Sequence, residues 1–202
     1  MIYFFQSLSL KMRFLRVLVL FFPVLVFQWL YSGAPWALAH LKLIAHGAGV
    51  ADSGFWYQPD QLKALFEAWG AEGKNLYITV LWPTDLGFLL SYGLFLTAAT
   101  LFLLKKANPA ASWWYFLPLI PLAAAAFDLL ENLAVGLAVL LPAEGWEPVS
   151  WAAATFTASK WVAVGCSLAV LTAGLAGTLV RLGWGKLRTQ LRADDRPPNR
   201  DS

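Results

Sequence analysis

Four apolar segments, each about as long as a bilayer is thick, dominate the sequence. They lie near residues 14–32, 76–104, 113–141 and 151–180. A hydrocarbon core of ~30 Å is crossed by about 20 helical residues. Charged residues make up only 13% of the chain, whereas an ordinary soluble domain has about 25%. The sequence therefore predicts an all-α polytopic membrane protein, a four-transmembrane-helix bundle.

The first apolar segment has a second interpretation. Basic residues precede it, and Ala37-Leu38-Ala39 resembles a signal-peptide cleavage site. A membrane span is favoured because the apolar run is long and ends in Trp29 and Tyr31, residue types that are enriched at membrane interfaces. We predict a span and leave open whether residues 1–39 are a cleaved signal peptide.

Lysine and arginine are unevenly distributed along the chain. Eleven of the 15 lie in the N-terminal segment, in the loop at 105–106 and from Arg181 onwards. Four spans place all three regions on one side of the membrane, so the positive-inside rule predicts cytoplasmic termini in a cell (inner) membrane protein. Residues 1–183 are then one transmembrane domain, and 184–202 are a basic, solvated cytoplasmic tail. The net charge of +3 is an orientation signal, and no nucleic-acid partner is expected.

The outer loop, residues 33–75, is too polar to be a fifth span. Within it, QPDQLKALFEAWG predicts a short amphipathic helix that begins at Pro59 or Asp60 and stops at Gly70. Its apolar stripe consists of Leu62, Leu65, Phe66 and Trp69. We expect this helix at the outer membrane surface, where it either anchors the loop or covers an opening between the spans.

Motifs for the common cofactors are missing from the sequence. The two histidines, His40 and His46, match no usual zinc spacing, so neither a metal site nor a cofactor is predicted. The sequence also lacks a nucleophile elbow, a phosphate loop, a thiolate metal motif and a dinucleotide fingerprint. Hydrolase, kinase and redox functions therefore have no support.

Polar residues inside the apolar segments carry the functional information. In the third span, FDLLEN places Asp128, Glu131 and Asn132 at positions i, i+3 and i+4, so all three share one helix face. A charge at the bilayer centre costs at least ~2.5 to 3.5 kcal/mol. That face is therefore expected to point away from lipid.

The second and fourth spans carry matching groups at matching depths. Asp85 and Lys160 each lie nine residues from the outer end of the predicted span, and Glu131 lies ten, or about 14 to 15 Å for each at the helical rise. Asp128 is one turn deeper. We therefore expect one buried site, and small residues are expected to close its floor by tight helix packing: Ala123–Ala126, Gly174 and Gly177.

The predicted site contains acid/base residues and ligand contacts. The acid/base, or catalytic, residues are Asp85, Asp128, Glu131 and Lys160. The ligand contacts are Thr84, Tyr92, Asn132, Thr157, Trp82 and Trp161. Three carboxylates and one ammonium carry a net charge of −2 when all are ionised, so at least one acid, with Glu131 the candidate, is expected to hold a proton near pH 7.

Several functions are compatible with this arrangement. Acids in different protonation states serve acid/base chemistry. The primary prediction is therefore a membrane protein that binds or transforms a lipid-like or amphiphilic small molecule. Membrane lipid is its expected partner. Such acids serve proton-coupled transport equally well, so a small proton-coupled carrier is an alternative, and a carrier of only four helices would require a homodimer. A subunit of a larger membrane complex is a related alternative. A purely structural ion-pair cluster that fixes helix register is the third alternative. Whether the protein is an enzyme stays open.

The sequence also resembles known membrane proteins. WPTDLGFLLSYG, FDLLEN and TASKW resemble the pattern of a group of small bacterial four-span proteins over about residues 57 to 180. That resemblance implies the four-span fold and no particular activity. A likeness in architecture alone is to EXPERA-type membrane proteins, such as sterol isomerases, and it implies a pocket for lipid-like ligands.

Overall fold

The structure is helical throughout the part that it describes. The computed structural model describes residues 1–141 and 146–194. These ranges contain the following α-helices: α1 Ile2–Lys11, α2 Phe14–Gln28, α3 Leu38–Ile44, α4 Pro59–Leu76, α5 Trp82–Ala107, α6 Leu119–Leu140 and α7 Trp146–Asp194. Short π-helical turns cover Trp29–Gly33 and Tyr77–Leu81, and 3₁₀ turns cover Ala51–Ser53 and Ser112–Phe116.

Four helical stretches are long and apolar enough to cross a membrane, as predicted. They are Phe14–Ile44, Pro59–Ala107, Ser112–Leu140 and Trp146–Arg181. The first, second and fourth are longer than the sequence predicted, because helical turns continue past the apolar runs. In α7 the helix continues to Asp194, so the described part of the predicted tail is helical, whereas residues 195–202 lie outside the described residues.

Helix α4 contains the predicted amphipathic segment but does not end where predicted. Gly70 interrupts the helix with φ 58° and ψ −163°, a combination that is essentially restricted to glycine. The helix then resumes, reaches Leu76, and joins α5 through the turn at Tyr77–Leu81. Gly70 is therefore a bend within a longer helical stretch.

The apolar stripe of α4 packs against protein. Leu62, Phe66 and Trp69 are each at most 2% exposed, and they share a core with Leu41 of α3 and with residues of α5, α6 and α7. The indole Nε1 of Trp69 donates a hydrogen bond to the carbonyl oxygen of Gly49 at 2.9 Å. Residues 34–69, which we call the cap, thus cover one end of the helix bundle.

Helix α1 at the opposite end was not predicted. Its Phe5 is buried with Val17 of α2 and Leu101 of α5. Lys105 Nζ donates hydrogen bonds to the carbonyl oxygens of Leu10 at 2.8 Å and Met12 at 3.1 Å. The basic N-terminal segment is therefore a helix docked on the end of α5.

The predicted close packing of small residues is correct on α6 and at Gly174 of α7, and wrong at Gly177. Ala124 is fully buried, and a Cβ atom at Gly93 would lie 2.8 Å from Cβ of Ala125. A Cβ atom at Gly177, by contrast, would have no neighbour within 4 Å. Both glycines line an open groove, but a Cβ atom at Gly174 would lie 3.0 Å from Cδ1 of Leu103 on α5.

The bend at Gly70 provides a test of the fold. Gly70→Ala is expected to lower the free energy of unfolding by about 1 to 3 kcal/mol, because alanine is strained at this backbone conformation. The added Cβ would meet no atom within 4 Å, so a steric clash contributes nothing. Gly177→Ala, in an equally open but helical position, should leave stability unchanged or raise it. Thermal unfolding in detergent measures both, and equal midpoints would contradict the assigned bend.

Candidate functional site

Lys160 is the centre of a buried cluster of charged side chains. Its Nζ lies 3.2 Å from Oδ1 of Asp128 and 2.6 Å from Oε2 of Glu131, both on α6. Lys160, Asp128 and Glu131 are each at most 5% exposed. The helix face predicted from FDLLEN thus points at α7, and the i, i+3 spacing presents both carboxylates to one ammonium group.

A third carboxylate comes from the cap and was not predicted. Oδ2 of Asp52 lies 3.0 Å from Lys160 Nζ, and the Asp52 side chain is 29% exposed. Sequence reasoning missed Asp52 because it lies in the non-periodic stretch GVADSGFW of the outer loop. The one available signal was that the outer loop, residues 33–75, holds four acids and only three lysines.

Lys160 makes two hydrogen bonds and one further ion pair to the three carboxylates around it. An ammonium group has three N–H donors, and Asp52 and Asp128 each accept a hydrogen bond from Lys160 Nζ. Glu131 Oε2 makes the shortest ion pair at 2.6 Å, but its angle is not that of a hydrogen bond, and this oxygen has no hydrogen-bond donor within the described chain. Asp52 and Asp128 therefore engage two of the three N–H donors of Lys160.

Asp85 lies in the same region but is held differently. Its Oδ2 accepts a hydrogen bond of 2.5 Å from the side-chain amide of Asn132, and it has no ion-pair partner among the residues that the structure describes. Asp85 is only 9% exposed. A buried carboxyl group with an amide but no cation beside it is costly to ionise.

Tyrosine hydroxyls complete the cluster. Tyr92 of α5 donates a hydrogen bond from its hydroxyl to Oδ2 of Asp128 at 2.9 Å. The hydroxyl oxygens of Tyr57 and Thr157 lie 3.4 Å apart, and Thr157 Oγ1 also donates to the carbonyl oxygen of Ala153 at 3.0 Å. Burial raises the pKa of the Tyr57 phenol, partly opposed by the Thr157 hydrogen bond, with nearby Glu131 adding to the rise. Tyr57 is therefore protonated at neutral pH.

Three of the predicted ligand contacts make no hydrogen bond to the charged side chains of the cluster. Thr84 uses its hydroxyl on the carbonyl oxygen of Val80, 2.7 Å away in its own helix. The indole Nε1 of Trp82 is buried and lacks a hydrogen-bond partner within the described ranges. The Trp161 ring is 43% exposed, with its centroid 5.7 Å from Lys160 Nζ. Thr84 is therefore engaged with its own helix, and Trp82 packs against the apolar core below the cap. Trp161 borders Lys160 without a hydrogen bond to the cluster.

The cluster carries more acid than base. Asp52, Asp85, Asp128 and Glu131 face one lysine, so full ionisation would give a net charge of −3. The described residues contain no group of three or more His, Cys, Asp or Glu side chains placed to hold a metal ion. The arrangement can therefore exchange protons or take up a cationic group, and either would lower the surplus negative charge.

Comparisons with known proteins add no relative. No protein-family model, no curated protein and no solved structure matches the chain. The resemblances to four-span bacterial proteins and to EXPERA-type proteins thus stay predictions, and function has to be argued from the cluster itself.

Proposed function

We propose that this membrane protein binds the polar end of an amphiphilic small molecule at an intramembrane acid/base site. The site consists of Asp52, Asp85, Asp128, Glu131 and Lys160. The observation that carries the proposal is the surplus of buried carboxyl groups over the single ammonium. A structural ion pair needs one acid for each base, whereas this cluster keeps carboxyl groups that the lysine does not neutralise.

Within this site, Asp85 is the acid that holds a proton. Like charges in a low-dielectric interior disfavour full ionisation, and Asp85 is the carboxyl group without an ammonium contact in the described chain. Glu131, the candidate from sequence, lies closest to Lys160 at 2.6 Å, which favours its ionised form. The Asn132 amide can hydrogen-bond the carbonyl oxygen of a protonated Asp85 equally well.

The cap side is the proposed route of entry. Asp52 is the most exposed of the five side chains. Trp56, in the same loop, has its ring 6.0 Å from that of Trp151, and both are about two-fifths exposed. These rings would contact the apolar part of the ligand while its polar end meets the carboxyl groups.

The proposal includes the orientation of the protein. The distribution of lysine and arginine favours cytoplasmic termini and an outward-facing cap in a cell (inner) membrane. Helix α4 would then lie at the outer surface with its apolar stripe on the bundle, so we assign it to covering the site and not to anchoring in lipid.

A proton-coupled carrier is the second candidate. It is supported by the position of Asp85, which lies beside the Lys160 ion pairs without joining them and could pass a proton to them. A four-helix carrier would act as a homodimer.

A series of single-chain amphiphiles tests the primary proposal. Dodecylamine, dodecanol and dodecanoate share one chain length and differ only at the polar end. Because the site has surplus negative charge, dodecylamine should raise the thermal unfolding midpoint of the purified protein more than dodecanol, and dodecanoate should not raise it. Asp85→Asn should remove most of the advantage of the amine, because asparagine, unlike a protonated Asp85, cannot release a proton and pair as a carboxylate with the bound ammonium group.

Asp60→Asn is the matched control for this series. Asp60 is exposed on α4, so this variant makes the same Asp→Asn change outside the cluster and leaves the cluster intact. The control should respond to dodecylamine as the unaltered protein does. An amine response that is the same in both variants, or equal responses to all three amphiphiles, would contradict the proposed site.

A further inference from the structure

A second candidate site lies at the end of the bundle opposite the cap. It is a groove of about 640 Å³ between α5, α7 and the loop 108–117, within the range of ~300 to 1,000 Å³ typical of ligand sites. Its walls are largely apolar and include Leu103, Leu104, Trp113, Trp114, Val170 and Gly177. Lys160 lies about 30 Å from Arg181 along α7 at the helical rise, so the groove is separate from the acid cluster.

The mouth of the groove is basic. Arg181 lines the groove, and its Nη1 donates a hydrogen bond of 2.7 Å to the carbonyl oxygen of Ala107 at the end of α5. A guanidinium group has five N–H donors, so this bond fixes its position and leaves most donors for an anion. Lys106, also exposed at the end of α5, adds a second positive charge at this end of the bundle.

Aromatic side chains line the same groove. The rings of Trp113 and Trp114 stack with centroids 4.3 Å apart, and both side chains are at least 39% exposed. Tryptophan is enriched at the boundary between hydrocarbon and headgroups. An apolar groove that starts beside arginine at this boundary and runs into the hydrocarbon region has the chemical order of a phospholipid, with the phosphate outside and the acyl chain inside.

We propose that the groove binds one anionic glycerophospholipid, with an acyl chain between α5 and α7 and the phosphate at Arg181. A second copy of this chain fits less well. A two-fold interface presents the same patch on both subunits, so it would gather two copies of Arg181 and Lys106 at one apolar contact without an anion to neutralise them. A phosphate neutralises these charges and accepts bidentate hydrogen bonds from arginine.

Gly177 allows the groove to be filled without disturbing the protein. A Cβ atom there would meet nothing within 4 Å, and the same is true of Gly165 on the same helix. Gly165 does not line the groove, so Gly165→Leu is the matched control for Gly177→Leu. Both changes add the same side chain at an open helical position, and only one adds it inside the groove.

Native mass spectrometry of the purified full-length protein tests the proposal with two probes, phosphatidylglycerol and phosphatidylcholine of identical acyl chains. The unaltered protein and Gly165→Leu should bind phosphatidylglycerol more tightly than phosphatidylcholine. Gly177→Leu should weaken binding of both lipids by about tenfold or more. Arg181→Gln should weaken phosphatidylglycerol by about fivefold, the effect of one basic residue near an anionic surface, and phosphatidylcholine less, because its choline cation offsets the charge of its phosphate.

Specific outcomes would overturn the lipid site. Equal lipid affinities of Gly177→Leu and Gly165→Leu would show that the groove binds no acyl chain. An unchanged preference for phosphatidylglycerol in Arg181→Gln would show that Arg181 does not bind the lipid phosphate. Conversion of a dimer to a monomer by Gly177→Leu, with lipid binding unchanged, would assign the groove to a second copy of the chain.

Discussion

Lys160→Met is expected to lower the free energy of unfolding by about 3 to 5 kcal/mol, the usual cost of leaving buried charges without their partner. The reason is specific to this cluster. Asp52, Asp128 and Glu131 all lie within 3.2 Å of Lys160 Nζ, and methionine would leave three carboxyl groups facing one another. Chemical denaturation in detergent micelles measures the loss.

Two further variants distinguish charge from packing. Lys63→Met changes an exposed lysine of α4 and should have little effect on stability. Adding Glu131→Gln to Lys160→Met should recover part of the loss, because the double change removes one charge of each sign. The coupling between neighbouring residues of this kind is about 0.5 to 3 kcal/mol. Strictly additive losses would mean that Lys160 and Glu131 do not interact.

Trp69→Ala is expected to cost a similar amount, about 3 to 5 kcal/mol, as for other fully buried aromatic residues. Trp69 is 2% exposed, its ring lies 4.9 Å from that of Tyr77 and 5.0 Å from that of Phe66, and its indole holds Gly49. Its loss should loosen the cap and with it the contact between Asp52 and Lys160. Reaction of Lys160 with an amine-selective reagent should therefore become faster.

Trp36→Ala is the matched control for the cap. Trp36 belongs to the same segment but is 53% exposed, so its removal should affect neither stability nor the reactivity of Lys160 strongly. If Trp69→Ala destabilised the protein while Lys160 stayed unreactive, the cap would be a stability element that does not control access to the cluster.

The parts of the structure that the sequence predicted are those set by helical period and span length. The spacing of Asp128, Glu131 and Asn132 determines a shared helix face, and a buried lysine on another span is the partner that such a face requires. Helix α7 begins at Trp146, earlier than the predicted Trp151, yet Lys160 still contacts Asp128 and Glu131. The pairing depends on which helix faces meet more than on where a helix begins.

The parts that the sequence missed depend on loops and on tertiary packing. Asp52 reaches Lys160 because the cap folds back over the bundle, and no local period encodes such a contact. Helix α1 is stabilised by its docking on α5 through Lys105, which a helix of this length needs. Gly177 matches a small-residue packing pattern, yet a Cβ atom there would meet no atom within 4 Å, and the residue lines a groove.

Protonation of Asp85 at neutral pH is the central claim, and infrared spectroscopy of the reconstituted protein tests it most directly. A buried protonated carboxyl group gives a C=O stretching band that carboxylates lack. We predict this band at pH 7 in the unaltered protein and in Asp60→Asn, and its loss in Asp85→Asn. A spectrum without a protonated carboxyl band at pH 7, or a band that Asp85→Asn leaves unchanged, would contradict the assignment of the proton to Asp85.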